Sequence, residues 1–211
     1  MNPKQPRRPW PYTAAMAMMM LVMQLYVPAF ATAIRQVGMD EMLRRSQLVF
    51  EGVVTGRRVL TTAGGRPYTE VTFRIVDIIK GRWAKDSIRL SFMGGDLPGK
   101  SLRLQDMAYP ELGEHGVYFV ESTEKRLVNP LYGWSQGRFL VTRDGNGHER
   151  VETADGQQVT ALHFGDGNDT ARLSRGIAKG VRVKRQALGG EAISLSDFKA
   201  QLRRQAGGRE P

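Results

Sequence analysis

Residues 68–83, YTEVTFRIVDIIKGRW, constrain this chain more than any other stretch. Val71, Phe73 and Ile75 alternate with Thr72, Arg74 and, further on, Asp77, a period of two that sets an apolar row on one face of a strand and a polar row on the other. At Val76, Ile78 and Ile79 the alternation changes phase, which predicts a bulge or bend, and Lys80-Gly81 then ends the strand in a turn with the lysine in solvent. A strand of this kind needs partners, and the neighbouring sequence supplies them. QLVFEGVVTGRRVL (47–60) reads as a long strand with Gly52 and Gly56 at positions where a bulge or sharp coil lets it serve two faces. TTAGGRP (61–67) is a turn, and SIRLSFM (87–93) repeats the alternation through Ile88, Leu90 and Phe92, pairing antiparallel with the strand before it.

Further along, 94–116 is rich in Gly and Pro and too long for a hairpin turn, so it is expected as a surface loop. GVYFVE (116–121) is a buried strand, 127–137 a shorter irregular one, and 138–153 a hairpin turning at GNG. Helices are expected at both ends. VGMDEMLRRS (37–46) gathers Met39, Met42 and Leu43 on one face, with acids early and arginines late; SLSDFKAQLRR (194–204) gathers Leu195, Phe198 and Leu202, with Ser196 as its cap. The expectation is a mainly β fold: a small antiparallel β-barrel of the oligonucleotide/oligosaccharide-binding kind, with a short N-terminal helix and a C-terminal amphipathic helix.

SQLVFEGVVTG, YTEVTFRIVDIIKGRW, SIRLSF and GVYFVES resemble, in order and spacing, a group of uncharacterised exported bacterial proteins. Their layout is similar to the netrin-like domain of the tissue inhibitors of metalloproteinases, over about residues 37–141. The resemblance implies a barrel used outside the cell to bind proteins. In the inhibitors, the mechanism depends on an N-terminal cysteine that binds the protease zinc. This chain has no cysteine, so that mechanism does not carry over.

The N-terminus carries Lys4, Arg7 and Arg8 with no acid, then an apolar run over 14–27 broken by Gln24, then PAFATA with small residues spaced for cleavage. The run is shorter than the roughly 20 residues that span a bilayer and it ends at Pro28. Residues 1–31 are therefore expected to be a cleaved signal peptide, the mature chain beginning at Thr32 or Ile34. Pro9-Trp10-Pro11 stands where a twin-arginine signal has an apolar pair, which argues against that route. Export and zero cysteine together exclude disulfide staples, thiolate metal sites, a cysteine nucleophile and a lipid-modified cysteine. The expected location is the periplasm or the medium. The expected organisation is a barrel domain over 32–162, a basic Gly-rich linker over 163–193, and a C-terminal helix and tail over 194–211.

The net charge of +10 invites a nucleic-acid reading, but its distribution opposes one. Residues 32–170 hold 18 basic and 18 acidic side chains, while 171–211 hold 10 against 3. Binding to phosphate backbones needs a basic face on the folded part, so no nucleic acid is expected. Arg172, Arg175, Lys179, Arg182, Lys184 and Arg185 form instead a solvated basic segment, the candidate contact for an anionic surface.

The remaining motifs are incomplete. Gly133-Trp134-Ser135-Gln136-Gly137 fits the hydrolase elbow G-x-S-x-G, yet a strand and not a helix follows it. GGDLPGKS (94–101) fits a phosphate-binding loop at Gly94, Gly99, Lys100 and Ser101, again without the helix that such a loop opens. His115, His148 and His163 lack metal-ligand spacing and are expected at the surface. Asp144 and Asn146, like Asp166, Asn168 and Asp169, sit in Gly-rich turns without the downstream Glu of a calcium loop. No two acids form the pair a glycosidase needs. No catalytic residue, metal or cofactor is therefore expected. The expected function is a non-enzymatic exported domain that binds a protein or an envelope component, with extracellular protease inhibition as the alternative.

Overall fold

The structure, a computed structural model, describes residues 35–165, 176–184 and 191–208, all within the unit Ala33–Pro211. In chain order they form α1 (Met39–Arg45), β1 (Leu48–Thr61), β2 (Pro67–Lys80), β3 (Ser87–Met93), β4 (Gly95–Leu97), β5 (Lys100–Leu102), β6 (His115–Val120), β7 (Arg138–Arg143), β8 (Glu149–Thr153), β9 (Val159–Leu162), β10 (Val181–Val183) and α2 (Leu195–Gly207). The expected signal peptide lies outside the described residues. The fold is mainly β, with an antiparallel six-stranded sheet ordered β3-β2-β1-β6-β7-β8 and two small two-stranded sheets, β4-β5 and β9-β10.

The change of phase in β2 is a bulge. Glu51 pairs with Asp77 and Gly52 with Ile75, so Val76 has no partner across the ladder and stands out toward solvent. A second shift leaves Ile79 between the pairs Val49–Lys80 and Phe50–Ile78, and a third leaves Thr55 unpaired just before Gly56. Three extra residues in one long hairpin increase its twist and coil it. Gly52 and Gly116 face each other across β1 and β6 at the bend. The Phe50 ring covers Gly52, with an edge carbon only 2.8 Å from where a Cβ would stand, and the Tyr118 ring covers Gly116. Neither position has room for a larger residue.

Each face of the sheet carries a buried cluster, the second of them without β3. On one, Phe50, Phe73 and Tyr118 meet edge-to-face or tilted with centroids 4.7–5.6 Å apart, and Leu48, Val71, Ile88, Leu90, Phe92 and Val120 pack around them. Met107 and Tyr109 of the loop after β5 pack against it. On the other face, Val49, Val117, Phe119, Phe139 and Val151 meet α1, β9 and α2. Each aromatic buries roughly 150–250 Å² of surface, so the two clusters supply most of the driving force.

Among the described residues no ladder closes this sheet into a barrel. Other segments meet its two edges at single points. Val128 O accepts from Met93 N at the β3 edge, while Ser194 bridges to Arg150 and Ile193 O accepts from Val151 N at the β8 edge. Four local expectations are corrected. Residues 127–137 form no strand: Leu131 bridges to Val120 and a 3-10 turn follows at Trp134–Gly137. The cap of α2 is Ser194, whose Oγ accepts from Asp197 N at 3.0 Å, and not Ser196. Lys80 is not a solvated turn residue; its Nζ donates to the carbonyls of Leu43, Arg44 and Ser46 at 2.7, 3.2 and 2.6 Å and closes the C-terminal end of α1. The loop after β3 is not structureless, since 95–102 is the β4-β5 hairpin.

The sequence left open whether the C-terminal helix packs on the sheet. Leu195, Phe198 and Leu202 are buried in the second cluster, with Phe198 and Phe139 centroids 5.0 Å apart. Upstream, Ala178 is buried, Lys179 N and O bond to Val37 O and Met39 N, and β10 pairs with β9. Through these contacts the C-terminal segment covers one face of the sheet.

Candidate binding cleft

The β1-β2 hairpin places Tyr68 at the start of β2 directly across from Met93, the last residue of β3. Pro67 precedes Tyr68, and Arg126-Leu127 comes over the same end of the sheet because Val128 is bonded to Met93. These residues, with Ser91, enclose a cleft of about 310 Å³. That volume holds one large side chain or a small molecule. The Arg126 guanidinium lies 4.6 Å from the centroid of the Tyr68 ring, a cation-π contact. Arg66 lines the cleft from the hairpin turn, and Lys100 extends over Gly65, its Nζ 3.3 Å from where a Cβ would stand. Among the described residues no acid lines the cleft, and among the described ion pairs none involves Arg66, Lys100 or Arg126. Apolar walls beneath unneutralised cations suit a ligand that is apolar in body and anionic in part.

Beside the cleft runs the outer edge of β3. Met93 N and Ser87 O both point outward, the first donating to Val128 O and the second accepting from Trp83 Nε1 at 3.0 Å. By alternation, the N–H and C=O groups of Arg89 and Ser91 face the same side. Among the described residues nothing bonds to them there. A window of two residues on the sheet edge is thus open, closed at one end by Trp83 and at the other by Val128.

Two buried ion networks lie elsewhere, and sequence reasoning missed both. Glu51, only 4% exposed, accepts from Lys199 Nζ at 2.5 Å and lies 2.9 Å from His115 Nε2. Lys199 also donates to Asp77 at 2.9 Å, and Asp77 accepts from Arg203 at 2.6 Å. Burial would raise the Glu51 and Asp77 carboxyls, but the hydrogen bonds from His115, Lys199 and Arg203 outweigh it and hold both below their ordinary values. For Lys199, burial pulls downward and the two carboxylates prevail, holding it above its ordinary value. The second network is a bidentate pair, Arg138 on Glu114 at 2.8 and 2.5 Å, with both side chains below 10% exposed. Tyr118 Oη donates to the same carboxylate at 3.0 Å, and burial beside that negative charge pushes its phenol up. An acid in the middle of the apolar run LVFEGVV was the available signal for Glu51. Arg138 and Glu114 carried none, since each reads as a strand-end charge.

The structure gives most of the residues singled out in the sequence a definite place. Ser135 lies in the 3-10 turn that leads straight into β7, so the elbow geometry is absent. Lys100 and Ser101 stand on β5, with Ser101 donating to Asp96, which Arg103 also holds at 3.1 Å; the match to a phosphate loop is a hairpin. His115 is half-buried on Glu51 and not a surface residue. Asp144 accepts from Arg150, His148 and Asn146, contacts that hold its carboxyl down at about 2 and account for the turn. No cluster that could hold a metal occurs among the described residues. Asp166, Asn168, Asp169, Arg172, Arg175 and Arg185 lie outside the described residues. Lys179, Arg182 and Lys184 are exposed on β10 and its flanks. No described helix is long and apolar enough to cross a membrane. Comparison with protein-family models, with curated proteins and with solved structures gives no match to this chain.

Proposed function

We propose that this chain is an exported, non-enzymatic binding domain that engages a protein or an envelope component through the cleft at the β1-β2 hairpin. The observation that carries the reading is the pairing of apolar walls with Arg66, Lys100 and Arg126, none of them in a described ion pair, at the end of a sheet anchored by the aromatic cluster of β1, β2, β3 and β6. What sets these three exposed cations apart from others on the surface is their place around an apolar cleft that no acid lines among the described residues. The coiled hairpin and its aromatic cluster support the finer reading of that half as a netrin-like barrel. Export is supported by the N-terminal sequence alone.

The test expresses the full chain with a C-terminal tag in a bacterium and isolates the product from periplasm and medium. Its first residue should be Thr32 or Ile34. Crosslinked partners should be captured by this product and lost from an Arg66→Glu/Arg126→Glu variant of unchanged melting temperature. Retention of Met1, or capture that ignores the double substitution, would overturn the reading.

A further inference from the structure

The cleft and the open edge of β3 meet at Ser91, which belongs to both. We propose that they bind the carboxy-terminal residues of a partner protein, the last apolar side chain entering the cleft and the terminal carboxylate facing Arg66 and Arg126. This deepens the proposed function and rests on it. The open N–H and C=O groups of Arg89 and Ser91 call for a main chain, because an extended peptide meets alternating donors and acceptors at the spacing a sheet edge presents. The cleft calls for an apolar side chain, its walls being Pro67, Tyr68, Met93 and Leu127 and its volume of about 310 Å³ sufficient for one. The cations call for an anion. Arg126 is already oriented by its stacking on Tyr68, leaving guanidinium N–H donors for a carboxylate.

Val128 settles which part of a peptide fits. Its carbonyl occupies Met93 N, the next outward donor after Ser91, so a strand added along Arg89 and Ser91 meets the 126–128 segment and cannot continue. A peptide running parallel to β3 has its carboxyl end at that point, where the carboxylate falls among the arginines; an antiparallel one would set an amino group against the same cations. Trp83 closes the far side at Ser87, which limits the paired part to about three residues.

The probe is an array of peptides with randomised final five residues, each synthesised as free acid and as amide, bound to the full-length protein. Binders should end in a large apolar residue, lose at least tenfold on amidation, and lose a comparable factor in Arg126→Ala. N-methylation of the peptide within its last three residues should also abolish binding, a test of strand pairing that leaves the protein untouched. Equal binding by acid and amide, indifference to N-methylation, or no binder at all would overturn the inference. So would phenylpropionate competing as well as the best peptide, since the site would then serve a small carboxylate. If any of these held while partner capture still depended on Arg66 and Arg126, the binding function would stand and only its ligand class would fall.

Discussion

Lys199 holds two carboxylates of different strands, Glu51 on β1 and Asp77 on β2, and so joins α2 to the sheet at one atom. Replacing it with Met keeps the aliphatic stem but leaves Glu51 buried with His115 alone. Removing one partner of a buried pair costs about 3–5 kcal/mol, and the 18% exposure of Lys199 puts Lys199→Met near the lower figure. The pH dependence follows from the signs. Because Glu51 and Asp77 have folded values below 4.5 and 3.8, their contribution is complete above those values and is lost as pH falls through the folded ones. Lys199, raised above 10.5, contributes below that value and loses its contribution as pH rises through the folded one. Urea denaturation should therefore give a plateau between about pH 5 and 10 for the wild type. Lys199→Met should be less stable on the plateau, and the gap should narrow at pH 3, where protonation relieves its unpaired carboxylate. A gap of equal size at pH 3 and pH 7 would mean that the loss does not come from the unpaired carboxylate, and no gap at either pH that the network contributes nothing.

At the scale of elements, α2 acts as a cover more than as a tail. Phe198 is fully buried against Phe139, and truncating a buried Phe to Ala costs about 3–5 kcal/mol. A chain ending near Asn168 loses this helix and β10 together and uncovers Val117, Phe119, Phe139 and Val159. It should show no cooperative melting, whereas one ending at Gly208 should melt like the full protein. A sharp calorimetric transition from the shorter chain would show that the sheet stands alone. How much of this was legible depends on the range of the interaction. Strands β1, β2, β3 and β6 announce themselves by period-two patterning, which is local, and even the bulge at Val76 appears as a break of phase. The packing of α2 does not, because an apolar stripe fits a covered sheet and a partner protein equally well. The cleft was hidden for the same reason: Tyr68, Met93 and Arg126 are remote in sequence, and only the β2-β3 register and the Val128 bond bring them together.

For the whole molecule, the placement of charge decides between two kinds of surface. The basic excess lies beyond residue 170, but its described part is fixed to the fold and not carried on a free tail: β10 pairs with β9, and Lys184 N donates to Gln158 O. Arg182 and Lys184 therefore hold set positions relative to the sheet, both exposed. Exposed Lys and Arg near an anionic membrane each contribute about 1 kcal/mol, an attraction that decays within a Debye length of about 8 Å at physiological salt. On vesicles of phosphatidylglycerol and phosphatidylcholine, Arg182→Gln/Lys184→Gln should weaken partitioning by roughly 10- to 30-fold at low salt, the equivalent of about 2 kcal/mol. Added salt should bring wild type and variant together, and vesicles of phosphatidylcholine alone should bind neither. Partitioning unaffected by the double substitution, or by salt, would remove the β10 region as an anionic contact. Peptide capture by Arg66 and Arg126 should be indifferent to these two changes, because a carboxylate held by direct hydrogen bonds depends on the geometry of the cleft and little on the screened field of distant charges.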